Sequence, residues 1–192
     1  DMNDVIVEYN RAVSFDKKNQ VTKIVDTFTP VHDGAVFANA FAYQVDKGQF
    51  GKMTFSATTE GIHTESATSS IIVCPNVKQA IQKVYTITRE FTGGSFNKKD
   101  LKSYNPYIIV KYAEGQKGRT EVHLPKHEAT SLADLSLAGT QKDAYYIDKE
   151  GAYPFAIDIP ILNFISVTEK KSIDTESVSY THLRAHETCA DL

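Results

Sequence analysis

Long apolar runs are missing from this 192-residue chain. No stretch approaches the roughly 20 apolar residues that a membrane-spanning helix needs, so insertion of this fragment into a bilayer as a helix is not expected. Cysteine is nearly absent: Cys74 and Cys189 are the only two, which excludes a disulfide framework. An excess of one charge is missing as well. The formal net charge is −3, from 21 basic and 24 acidic residues, so there is no electrostatic footprint for nucleic acid and no basic run for a membrane surface. No secretory leader is read at the start of the sequence, which says little, because the chain opens on Asp1 in what reads as mid-motif. The G-x-S-x-G, P-loop, H-E-x-x-H and C-x-x-C signatures do not occur, which leaves an enzyme without motif support. Helical periodicity is scarce.

What is there is alternation. Hydrophobic residues make up 41% and charged residues 23% of the chain, ordinary values for a globular protein of this length. "DVIVEYN" (4–10), "QVTKIVDTFTPV" (20–31) and "KMTFSATT" (52–59) alternate as half-buried strands do. In "FANAFAYQV" (37–45), Phe37, Asn39, Phe41, Tyr43 and Val45 share one face, with alanines on much of the other. "SSIIVC" (69–74), "YTITREF" (85–91), "NPYIIVKY" (105–112), "TEVHLP" (120–125) and "FAIDIPI" (155–161) continue the series, separated by glycine-bearing turns. Two turns of helix are expected over 75–84, after Pro75, and one short helix between Thr130 and Gly139. Many short strands and little helix predict a mainly-β fold: a single antiparallel β-sandwich-like domain with one or two short helices.

The order of the motifs is familiar. "DMNDVIVEYN" (1–10), "FANAFAYQVD" (37–46), "NPYIIV" (105–110), "EVHLPKHEATSLADLSLAGT" (121–140) and "YPFAIDIP" (153–160) resemble the LruC domain, found in bacterial surface and lipoprotein-like proteins. That family's opening carries one further aspartate upstream of Asp1, glycines at the positions of Ala40 and Ala42, and a tryptophan at the position of Phe155. The resemblance implies an exported, surface-associated module, with residues 1–176 an incomplete LruC-type domain truncated at both ends. It brings no reaction with it.

Near Glu176 the family pattern stops. His182, His186 and Cys189 then follow at H-x3-H-x2-C spacing, a donor set that zinc favours. However, "VSYTHLRAHET" (178–188) resembles the translation of a transposase-type sequencing adapter. Residues 177–192 are therefore expected to be a non-native tail, without a packing partner and without a zinc site.

Five groups of residues remain as carriers of chemistry. Asp1, Asn3 and Asp4 place hard oxygens just before a strand, the donor type that calcium takes; an Asx-turn that starts the strand uses the same residues. Asn39, in the aromatic row, is expected to pin a neighbouring loop or strand edge, since a buried amide without partners costs about 1–3 kcal/mol. Glu121 and His123 alternate on one face of a strand. With His127 and Glu128 they are compatible with zinc or acid–base work, but Pro125 bars a helix that would pair the histidines, and a network fastening the 126–134 loop is the expected outcome. Asp134 and Asp143 are loop carboxylates, compatible with completing a cation site but expected to lie in a solvated loop, and Cys74 is expected to be a buried structural thiol. No catalytic and no cofactor-binding residue is assigned. The expectation is a non-catalytic, extracytoplasmic cell-surface module, with calcium as its ion through Asp1, Asn3 and Asp4 and a glycan or protein surface ligand as its partner. The alternative is a carbohydrate-binding or carbohydrate-processing domain.

Overall fold

A computed structural model describes residues 4–91, 96–101, 105–114, 118–137, 146 and 154–160. Where the period-two pattern is strongest the chain is extended, and the resulting strands form two antiparallel sheets. The first holds β1 (Ile6–Phe15), β2 (Val21–His32), β4 (Met53–Ala57) and β7 (Tyr85–Phe91), in the order β1-β2-β7-β4. The second holds β3 (Ala40–Gln44), β5 (His63–Glu65), β6 (Ser70–Cys74), β8 (Asn105–Ile109) and β9 (Glu121–His123), in the order β5-β6-β3-β8-β9. One helix occurs among the described residues, α1 (Lys47–Phe50), capped by the Asp46 side chain, which accepts from the Gly48 and Gln49 N–H groups. The mainly-β, sandwich-like expectation holds.

Each sheet turns alternate residues inward. Phe28 of β2 meets Phe41 and Tyr43 of β3 at ring-centroid distances of 5.2 and 5.1 Å. Val45, Ile71, Val73, Tyr85 and Ile87 complete this inter-sheet core. Cys74 is buried beside it as a free thiol, as expected of a structural cysteine. The second sheet is buried on its other face too. Ala40 and Ala42 of β3 pack with Ile72, Tyr107 and Ile109 in a separate cluster. Small residues at 40 and 42 leave room there for Tyr107.

Charge enters the interior between the sheets at Asp26. Asp26 of β2 lies directly across from Arg11 of β1. Its Oδ1 accepts from Arg11 Nε at 2.5 Å and its Oδ2 from Arg89 Nη2 of β7 at 2.9 Å. The Tyr43 hydroxyl also donates to Oδ2, at 3.0 Å, which ties the second sheet to the first.

Several local expectations need correction. Phe37 does not join the inward row: it precedes β3 in a bend and is 40% exposed, with Lys111 Nζ 3.9 Å from its ring centroid. Phe41, Tyr43 and Val45 are buried as expected. Asn39 is buried just before β3, where its Oδ1 accepts from Lys111 N–H and its backbone carbonyl from Val77 N–H. Those two bonds replace strand pairing and bend the chain ahead of Ala40. Residues 75–84 make no two-turn helix but one 3-10 turn at Val77–Gln79, capped by the Asn76 side chain. Gln82, at φ 63°, then turns the chain and donates its N–H to Pro30 O. Within 129–137 the only helical piece is the 3-10 turn Leu135–Leu137. Residues 155–160 are not a strand; in that segment Asp158 accepts from the Tyr9 hydroxyl at 3.1 Å. The proposed tail at 177–192, with His182, His186 and Cys189, lies outside the described residues.

Candidate functional site

The outer face of the second sheet carries a cluster of buried ionisable side chains. β8 and β9 pair so that Tyr107 faces His123 and Ile109 faces Glu121. Alternation puts Asn105, Tyr107, Glu121 and His123 on this one face. The His123 ring stacks on Tyr107, with centroids 4.4 Å apart and planes 12° apart, and Tyr146 covers it from the other side at 5.0 Å. Glu121 and His123 are both buried.

Pro125 and Lys126 make the chain double back over this face. The His127 N–H donates to Leu124 O, closing a four-residue turn, and Lys126 takes φ 67°, the geometry of a turn with proline first and a positive-φ residue second. The return brings Thr130 onto Glu121. Thr130 N–H donates to Glu121 Oε2 at 2.8 Å and Thr130 Oγ1 to Oε1 at 2.6 Å. His123 Nε2 lies 2.8 Å from Oε2. Arg119 Nε is 2.6 Å from Oε1, near enough for an ion pair though not aligned as a hydrogen bond. Burial pushes the Glu121 carboxyl up, yet the bonds from His123 and Thr130 and the Arg119 charge hold it below its usual value. It is a carboxylate.

Arg119 extends the network. Its Nη1 donates to Glu65 Oε1 of β5 at 2.6 Å and its Nη2 to the Tyr107 hydroxyl at 2.9 Å. Tyr107 in turn donates to Ser70 Oγ of β6 at 2.9 Å, and burial pushes its pKa up to about 12. On the far side, His123 Nδ1 lies 2.8 Å from Asn105 Oδ1. The Asn105 amide donates to Gln44 Oε1 and to the backbone carbonyl of Glu128. Strands β3, β5, β6, β8 and β9 are thereby joined to the loop that follows β9.

Next to this network is an open cleft of about 420 Å³, lined by Gln44, Asp46, Lys47, Thr68, Ser69 and Ser131. Ser131, directly after the anchored Thr130, donates its hydroxyl to Ala67 O at 3.3 Å. Val45 and Ala67 give the cleft an apolar wall beside its hydroxyl, amide, carboxylate and ammonium groups, a mixture that suits a ligand with both hydroxyls and an apolar face.

Of the residues singled out in the sequence, Glu121 and His123 do meet, and they fasten the loop as expected. His127 is half-buried nearby and Glu128 contributes its backbone carbonyl. Asp134 accepts from Ser136 and serves its own loop. Asp143, Asp1 and Asn3 lie outside the described residues. Asp4 is exposed, and its backbone carbonyl accepts from Gly34 N–H at 3.1 Å. Beside it stands Asp33, whose Oδ1 accepts from Ala35 N–H while its Oδ2 is buried without a hydrogen-bond partner. Burial, and then the Asp4 charge, raise the Asp33 carboxyl above its usual value, against the Ala35 bond and Lys78. Among the described residues no three His, Cys, Asp or Glu side chains gather as a metal site.

Arg119, Asn105, Thr130, Glu65 and Asp33 were not singled out in the sequence. Asn105 had a signal: it sits two residues before Tyr107 on a strand, and so on the same face. The others come from loops or distant strands, and no spacing announces them.

The profile of a family described as "Domain of unknown function (DUF4842)" matches residues 19–188. Neither the curated proteins nor the solved structures include a match to this chain.

Proposed function

This chain belongs to the DUF4842 family, whose description assigns no activity, and from its geometry we propose that it is a non-catalytic, extracytoplasmic module of a bacterial cell surface. The observation that carries the reading is the environment of Glu121. Its two oxygens take three hydrogen bonds and an ion pair from groups of the same fold. Such a carboxylate positions a loop; it is not free to exchange protons with a substrate. The buried Asp26 does similar work between the sheets. A domain cross-linked in this way suits rigid display of its loops for adhesion or ligand contact. The LruC-like motifs support the surface location, and the cleft beside Ser131 is the place we assign to a glycan or protein ligand.

Calcium is the ion we propose for the N-terminal turn, through Asp1, Asn3 and Asp4. Support comes from Asp33, which adds a buried, unpartnered carboxylate oxygen next to Asp4. Calcium asks for several such hard oxygens, including backbone carbonyls.

The cleft, with hydroxyl, amide and charged groups beside Val45 and Ala67, also favours a second reading, a carbohydrate-binding or carbohydrate-processing domain. Incubating the purified chain with a panel of oligosaccharides and surface proteins separates the readings. Capture of a ligand that is recovered at unchanged mass is the expected result. Recovery of shortened oligosaccharides would favour the processing enzyme.

A further inference from the structure

His123 presents two ring nitrogens to two oxygens, and the identity of each oxygen is fixed by its neighbours. Gln44 is oriented by donating its amide to the Thr68 backbone carbonyl at 2.8 Å. Asn105 is oriented because its amide donates to Gln44 Oε1 and to the carbonyl of Glu128. A carbonyl can only accept, so Asn105 cannot be turned over. Its Oδ1 therefore faces His123 Nδ1, which must donate. The other nitrogen, Nε2, faces a carboxylate oxygen of Glu121 at 2.8 Å. That contact is attractive only if Nε2 also carries a proton. Both contacts together call for the imidazolium.

Charge balance agrees. Arg119 is the permanent cation of the cluster, facing the carboxylates of Glu65 and Glu121. A proton on His123 makes the set neutral; without it the set, with Glu121 fully buried and Glu65 half-buried, carries a net negative charge.

We propose that His123 is doubly protonated in the folded chain, and that this proton latches the loop after β9 to the sheet. While it is held, Glu121 is drawn to His123 and presents both oxygens to Thr130. When it is lost, a bare nitrogen and a carboxylate face each other at hydrogen-bond distance, the pair separates, and Thr130 is released. Ser131, a wall of the cleft, follows. The latch thus couples the cleft to pH, and it stands apart from the adhesive reading.

Other groups act on the ring. Burial is the largest influence and drives the proton off; the Glu121 hydrogen bond and charge oppose it; His127 and Arg119 add to the loss, and these forces alone leave the pKa below its ordinary value. Tyr107 and Tyr146, on the two ring faces, remain neutral, with burial raising each to about 12. The Asn105 acceptor is the further force. It leaves no neutral tautomer without an oxygen–nitrogen clash, and that reverses the balance. The fold then holds the proton more tightly than the unfolded chain. Its stabilisation is complete below the ordinary histidine value of about 6.5 and is lost as pH rises through the folded value.

Two nuclear magnetic resonance measurements on the wild-type chain test this. The ring nitrogens of His123 should both be protonated at pH 7. The exchange protection of the Thr130 amide, corrected for intrinsic rates, should fall about tenfold per pH unit above the pKa of the ring, the slope for loss of one proton. Asn105→Ala removes the fixed acceptor and should shift His123 deprotonation to lower pH, which a merely structural Asn105 would not do. A bare ring nitrogen at pH 7, or Thr130 protection that stays flat or increases with pH, would overturn the latch.

Discussion

Phe37 and Phe41 share a parity in the sequence and differ in fate. Phe41 is in the inter-sheet core against Phe28, whereas Phe37 is held in a bend under Lys111. Phe41→Ala should cost roughly 3–5 kcal/mol, the usual range for a buried aromatic. Phe37→Ala should cost less than about 1 kcal/mol, since an exposed cation–π contact is worth about 0.5–1 kcal/mol. Denaturant melts of the two variants check both. Lys126 offers a change of opposite sign. Its φ of 67° imposes a left-handed conformation that costs an L-residue roughly 1–2 kcal/mol. Glycine escapes that cost but loses more freedom on folding, about 0.5–1 kcal/mol. Lys126→Gly should therefore stabilise by up to about 1.5 kcal/mol, while Lys126→Ala, which keeps the strain, should change little.

At the scale of elements, the pairing of β1, β2 and β7 depends on a buried charge. Asp26 takes its bonds from Arg11, Arg89 and Tyr43, and Arg89 is 1% exposed. Asp26→Asn leaves a buried guanidinium without its counter-charge, a change that typically costs about 3–5 kcal/mol, read by thermal melting. Strands were the legible part of the sequence because alternation of apolar and polar residues is a local signal. β2, β6 and β7 end within a residue or so of their patterns. The ends of β3 and β8 were not legible, since they depend on Asn39 and Lys111, which bond across the sheet. Helices were over-read at 75–84 and 129–139. There, among the described residues, the chain makes only single 3-10 turns: Val77–Gln79 capped by Asn76, and Leu135–Leu137 with Asp134 accepting from Ser136 N–H. Ile81, Val84, Leu132 and Leu135 stay exposed rather than forming a buried helical face. The pairing of Glu121 with His123 was legible from their spacing on one strand. Arg119, Asn105 and Thr130 were not, because register between β8 and β9 and the turn at Lys126 bring them in.

The whole molecule is a sandwich held by buried charge at Asp26 and Glu121, and calcium at Asp1, Asn3 and Asp4 is the proposed addition to it. Calcium at about 100 times its dissociation constant should add roughly 2.7 kcal/mol if it binds only the folded chain. The chain should therefore melt higher in calcium, revert with chelator, and respond less to magnesium. Asp33→Asn should blunt the response. A melting temperature indifferent to calcium would leave the turn as an Asx-turn. The central claim, that Glu121 holds the loop to the sheet, is tested most directly by a double-mutant cycle on stability between Glu121→Gln and Thr130→Val. Residues joined in one network show coupling of about 0.5–3 kcal/mol, and a hydrogen bond to a charged group is worth about 1.5–3 kcal/mol. The account predicts coupling in the upper part of that range. Additivity within about 0.3–0.5 kcal/mol would contradict it.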